Sequence, residues 1–210
     1  PVIAAFNGTN NLKYRGFLKA CNRRAAAYAC QQINGYLQPN RATIINLLSI
    51  EEREGKSFLA KYFAQYWESE GLHVRIVNHD IDFEKESKSY VQAQQLSDFW
   101  QLNDAEQQPD IILVEYPALC HYDVPEKVLA ESDFNLLVAN AARLWSEKDN
   151  ARLRSVKDIL KDKSLYLYLN NADRETVESF TGELPPHNSV HSFFRRLAQL
   201  GLTSQKAAVK

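Results

Sequence analysis

Apolar positions along this chain follow two alternating rhythms. Residues 43–49, 73–77, 110–115, 134–139 and 165–169 are short, nearly continuous apolar runs rich in Ile, Leu and Val, and they predict five strands. Between them, apolar residues recur at helical spacing. The clearest case is 57–70, where Phe58, Leu59, Tyr62, Phe63, Tyr66 and Trp67 form a stripe that Gly71 closes. Helices are also predicted over 85–102, 124–131, 146–161, 173–180 and 189–200, with Pro185-Pro186 separating the last two. Ahead of these, 1–6 predicts an extended apolar segment, Asn7–Asn10 a turn, and 11–36 a helical region broken at Pro39-Asn40. Strands that are apolar throughout and alternate with helices predict a mostly parallel sheet flanked by helices on both faces, an α/β three-layer sandwich.

The segment joining the first of these strands to its helix carries the most specific signal. It reads Ser49-Ile-Glu-Glu-Arg-Glu-Gly-Lys-Ser57, between a β-branched run and a helical pattern. That is the layout of a phosphate-binding P-loop. Backbone N–H groups and a helix N-terminus cradle phosphates, the Lys reaches their outer oxygens, and the Ser hydroxyl takes Mg²⁺. Ile50 stands where the common pattern has its first Gly, and Glu51, Glu52 and Glu54 would repel phosphate unless they point outward. The bland alternative is an ordinary βα turn with Gly55 at the bend and Ser57 near the helix cap.

Composition is that of a globular protein, with 45% hydrophobic and 24% charged residues, and no apolar run approaches the ~20 residues that span a bilayer. No secretory leader is recognisable. The chain starts at Pro1 and contains no Met, so it is expected to be a processed product or a piece of something longer. Cys21, Cys30 and Cys120 lack the spacing of a metal motif and are expected to be reduced, buried thiols. Adjacent Cys120 and His121 are not expected to work as a nucleophilic pair, and His187 and His191 lack an evident third metal ligand. Charge is uneven: residues 1–50 hold six cations (Lys13, Arg15, Lys19, Arg23, Arg24, Arg41) and no carboxylate, leaving the remainder at −7 within a net charge of −1. This predicts a basic lead-in segment and helix, 1–40, packed on a P-loop NTPase-like domain, 41–210, a single domain overall. The basic segment suits an anionic membrane surface or an acidic face of a neighbouring subunit, whereas the acidic balance of the rest argues against nucleic acid.

Ligands of parallel α/β sheets bind beyond the carboxyl ends of the strands. Asn78-His79-Asp80 follows the second strand, Glu115-Tyr116-Pro117 the third, and Asn170-Asn-Ala-Asp173 the fifth. Magnesium nucleotide needs oxygen ligands and nearby carboxylates there. The expected cofactor-binding set is Arg53, Glu54, Gly55, Lys56, Ser57 and Phe58, with Asn170 touching the base. Ser57 and Asp80 are the expected Mg²⁺ ligands. If the domain is active, Lys56, Asp80 and Glu115 are the expected catalytic residues, Glu115 orienting a water or hydroxyl.

Three motifs in order resemble the P-loop domain of bacterial tyrosine autokinases of capsular and exopolysaccharide export, relatives of the MinD/ParA ATPases. Leu48–Ser57 resembles T-S-x-x-P-G-x-G-K-S, Ile76–Asp80 resembles L-I-D-x-D, and Asp110–Pro117 resembles D-x-x-I-I-D-x-P. The resemblance covers roughly residues 1–180. It implies ATP and Mg²⁺ as cofactors, membrane polysaccharide co-polymerase or export proteins and further copies of the chain as partners, and a place on the cytoplasmic face of a bacterial inner membrane. The departures are equally specific. Arg53 replaces a loop glycine, Asn78 the first aspartate of the second motif, and Glu115 that of the third; the E-x-x-R-x-x-R oligomerisation motif and the terminal tyrosine cluster are missing. An Asn cannot accept a proton at neutral pH. The expected function is therefore a degenerate nucleotide-binding domain with a regulatory or scaffolding role. The alternatives are an active tyrosine autokinase or ATPase, and a GTPase suggested by the partial N-K-x-D likeness of Asn170–Asp173.

Overall fold

The computed structural model describes residues 2–7, 15–78, 82, 85–99 and 108–182. In chain order these form β1 (Val2–Asn7), α1 (Arg15–Ile33), β2 (Thr43–Leu48), α2 (Lys56–Ser69), β3 (Val74–Asn78), α3 (Lys88–Gln92), β4 (Ile111–Glu115), α4 (Glu126–Glu131), β5 (Phe134–Asn140), α5 (Glu147–Leu160), β6 (Leu165–Ala172) and α6 (Arg174–Thr181). The strands make one six-stranded sheet in the order β1-β6-β5-β2-β4-β3, and every pairing is parallel. The apolar lead-in of residues 1–6 thus contributes an edge strand of the sheet, paired with β6.

Both faces of the sheet are buried, and this is why the central strands read as unbroken apolar runs. On β2, Ile45 and Leu47 enter the core under α1, α2 and α6, while Ile44 and Leu48 enter the core under α4 and α5. On β4, Ile111 and Leu113 face the first core, and Ile112 and Val114 the second. The first core is aromatic: Phe6, Phe63, Trp67 and Tyr168 meet edge-on, with Phe6–Tyr168 centroids 5.0 Å apart. On α2 the buried positions are Leu59, Ala60, Phe63, Ala64 and Trp67, one helical stripe. Phe58 falls outside it, half exposed, against Phe6 and Tyr62.

The stretch 85–102 departs from the single helix expected there. Among its described residues, 85–99, it holds α3 and a 3₁₀ turn at Leu96–Asp98 rather than one continuous helix. The Asp98 carboxylate accepts the backbone N–H groups of Gln94 and Gln95, closing the chain into a turn where a continuing helix would need those donors. Capping elsewhere matches the residue types: Ser146 and Asp149 form a capping box on α5, and Asp173 accepts from Thr176 N–H at the start of α6. The expected helix at 189–200 lies outside the described residues. Among the described residues no helix is long and apolar enough to cross a membrane.

Candidate nucleotide site

After β2 the chain crosses β4 to form β3, whereas after β4 it returns past β2 to form β5. This reversal puts the β2–α2 loop at a topological switch point, where parallel sheets open a crevice. The register aligns Leu47 and Asn78 with Glu115 on either side of β4, so the three strand ends finish level. Beyond Glu115 the chain stays beside the loop: Leu119 N–H donates to Ser49 O at 3.0 Å and Cys120 N–H to Ile50 O at 2.9 Å.

Two residues of the loop 49–55 take left-handed backbone, only one of them a glycine. Gly55 has φ +104° and Arg53 φ +59°. Left-handed residues between right-handed ones turn successive N–H groups to one side, forming an anion-binding concavity. At Arg53 that conformation costs about 1–2 kcal/mol for lack of glycine. Gly55 is needed sterically as well, because a Cβ there would stand 2.1 Å from Asn170 Nδ2. The Asn170 amide donates to Glu54 O at 2.9 Å, so it braces the loop from β6. A cavity of about 400 Å³ lies over this backbone, walled by residues 52–58, Lys85, Pro117, Ala118 and Tyr122.

The glutamates divide. Glu54 is buried and faces away from solvent: its Oε2 accepts the N–H groups of Ile50 (3.0 Å) and Glu51 (3.1 Å), and its Oε1 accepts Arg143 Nε at 2.8 Å. Arg143 also donates to both carboxylate oxygens of buried Asp149, at 2.9 and 3.0 Å. Burial pushes the Asp149 carboxyl up, but hydrogen bonds from Arg143 and Ser146 outweigh it and hold it below the ordinary range. The Glu54 charge is thus neutralised by Arg143, and Glu52 remains exposed at the cavity. Neither Arg143 nor Asp149 figured in the sequence reading. The signal was available, because residues 141–143 directly follow β5, just as Asn78 and Glu115 end β3 and β4.

Lys56 is buried, and its Nζ donates to Ser49 Oγ. Ser57 Oγ donates to Glu115 Oε2 at 2.6 Å. Burial raises the Glu115 carboxyl above its ordinary value of 4.5, against the pull of the Ser57 hydrogen bond, the Lys56 charge and the Asn78 amide. The folded protein therefore holds this proton more tightly than the unfolded chain, and stability falls as pH rises from 4.5 through the higher folded value. Glu115→Gln keeps an acceptor for Ser57 and removes the buried charge. Urea unfolding at a series of pH values should find this variant at least as stable as wild type at pH 7, with the gap closing below 4.5. An unchanged pH slope in the variant would assign the titration to another group.

The structure thus brings Arg53, Glu54, Gly55, Lys56, Ser57, Glu115 and Asn170 to one sheet edge, with Phe58 at its rim; Asp80 lies outside the described residues. Of the residues behind the GTPase alternative, Asn170 is committed to Glu54 O and Asp173 to the α6 cap.

No protein-family profile and no curated protein matches the sequence. Solved structures do. The chain is similar to the kinase domain of Escherichia coli tyrosine kinase ETK, at 13% identity over 83% of this chain and 91% of that one, with a TM-score of 0.59. It is also similar to the BceF tyrosine kinase domain (12% identity, 82% and 94% covered, TM-score 0.53). The fold is that of bacterial tyrosine kinase domains. The chimerical protein CapA2B2 shares it, at 14% identity over 82% of this chain and 95% of that one, with a TM-score of 0.52. Identity at this level carries the architecture, and function has to be argued from the site.

Proposed function

We propose that this chain is a nucleotide-binding P-loop domain that keeps the phosphate-holding half of a kinase site and lacks its proton-accepting half, and that it regulates or scaffolds a polysaccharide export complex. The observation that carries this reading is the contrast between Lys56 and Asn78. The left-handed backbone at Arg53 and Gly55, the cavity above it, and Lys56, Arg53 and Lys85 around it suit a triphosphate. Ser57, paired with Glu115, suits the shell of a magnesium ion, which would supply charge neutralisation, with Asp80 as the further ligand. At the end of β3, level with Glu115, stands a carboxamide that cannot take a proton from an attacking hydroxyl.

The setting rests on the motif resemblance and on charge. Lys19, Arg23 and Arg24 are exposed on α1, and such a face is drawn to an anionic membrane surface or an acidic partner. Calorimetry with Mg²⁺-ATP and Mg²⁺-GTP, run beside a phosphate-release assay, tests the reading. ATP should bind, Lys56→Ala should weaken binding at least tenfold, and no Lys56-dependent release should appear. Absence of heat with either nucleotide would overturn binding. Release that vanishes in Lys56→Ala would replace regulation by catalysis.

A further inference from the structure

Glu51, in the phosphate loop, and Cys120-His121, beyond β4, are 69 and 70 residues apart in sequence and meet at the surface beside the cavity. One ligand atom from each lies within 4.8 Å of the other two. Cys120 Sγ is 3.2 Å from Glu51 Oε2, and His121 Nε2 is 4.0 Å from the same oxygen. The backbone holds the two segments together independently of these side chains, through Leu119 N–H to Ser49 O and Cys120 N–H to Ile50 O, and His121 N–H closes a turn on Ala118 O.

We propose that Glu51, Cys120 and His121 form a site for a borderline-soft divalent cation, Zn²⁺ by preference, that ties the phosphate loop to the segment following β4. A thiolate, an imidazole and a carboxylate are the donors zinc takes, whereas Mg²⁺ and Ca²⁺ take oxygen alone. Metal–ligand bonds of about 2.0–2.3 Å in a tetrahedron put neighbouring donors roughly 3.5 Å apart. The Cys120–Glu51 separation is already near that value, and the largely exposed His121 ring needs only a small rotation. Three protein donors leave the fourth position to water, since the site opens to solvent. On binding, the S–H proton that Cys120 now directs at Glu51 leaves to solvent as the metal–sulfur bond forms. Burial and the Glu51 carboxylate push that thiol up to about 11, so the metal competes with a proton for it. The loop feels the ion directly, because Glu51 N–H is one of the donors to Glu54. Nothing in this site depends on nucleotide.

Co²⁺ is the probe. The untagged full chain, reduced with a phosphine and free of nucleotide, should take up one equivalent of Co²⁺ with a thiolate-to-cobalt charge-transfer band and the intense visible bands of tetrahedral cobalt, and Zn²⁺ should bleach both. Cys120→Ser should abolish the charge-transfer band. Glu51→Gln and His121→Ala should each weaken Co²⁺ binding at least tenfold, and Cys21→Ala/Cys30→Ala, at buried thiols, should leave it intact. No charge-transfer band at one equivalent would overturn the proposal. So would a band that survives Cys120→Ser, or one indifferent to both Glu51→Gln and His121→Ala, which would mean a lone thiol. Because ATP is absent from every arm, this result stands apart from the outcome of the calorimetry.

Discussion

Gly55→Ala is expected to destabilise the protein by about 2–3 kcal/mol, one of the two largest effects of a single substitution here. Two costs combine. A left-handed conformation at a residue with a Cβ costs about 1–2 kcal/mol. The added methyl would also stand 2.1 Å from Asn170 Nδ2, so the Asn170 side chain must move and its hydrogen bond to Glu54 O is lost, about another 1 kcal/mol. For a chain of this size, 1 kcal/mol shifts the melting temperature by about 2–4 °C, so a fall of roughly 5–10 °C is expected in thermal unfolding. The steric part is separable. In an Asn170→Ala background the obstacle is gone, and Gly55→Ala should cost only its backbone term, a coupling that a double-mutant cycle reads directly. Equal costs in the two backgrounds would mean that Asn170 does not press on the loop.

Arg143→Ala is expected to cost about as much by a different route. It strips the counter-ion from Glu54 and Asp149, whose side chains are each only 2% exposed. Breaking a buried ion pair from one side costs about 3–5 kcal/mol, because the remaining charge stays out of water without a partner. Arg143 itself is about a quarter exposed and Glu54 keeps two backbone donors, so about 2–4 kcal/mol is expected here. The urea midpoint should fall with the slope unchanged. Glu54→Gln added to Arg143→Ala should recover part of the loss, since a neutral amide oxygen can still accept from Ile50 and Glu51. A midpoint unmoved by Arg143→Ala would show that the loop needs no cation behind it. These residues also account for two of the loop's three glutamates: Glu54 is paired with Arg143 and the Ile50 and Glu51 N–H groups, and Glu51 is turned towards Cys120.

Most of the candidate site was legible because its parts are local or follow a rule of topology. Gly55, Lys56 and Ser57 are consecutive, and a β-branched run before them and a helical stripe after them fix their place at a strand–helix turn. Asn78, Glu115 and Asn170 follow from reading the end of each strand, since parallel strands finish at one edge. The fourth strand end was not read in that way, and the arginine that neutralises the loop sits there. The orientation of the glutamates was illegible for a different reason: repulsion from a phosphate site and attraction to a cation behind it look alike in a run of three acids. Only the position of Arg143, 89 residues on from Glu54, separates the two.

The sequence by itself determined the alternation of strands and helices and the burial of both sheet faces, because apolar periodicity reports burial along one segment at a time. It also determined that the loop is poor in glycine and that a carboxamide, Asn78, stands at the end of the second strand predicted from it. Only the tertiary structure decided that residues 1–6 are an edge strand, that Glu54 is neutralised, that Asn170 presses on Gly55, and that Glu51 meets Cys120 and His121. Each of those depends on a contact between segments far apart in the chain. Such contacts are set by sheet order and register, which no pattern within a single segment encodes.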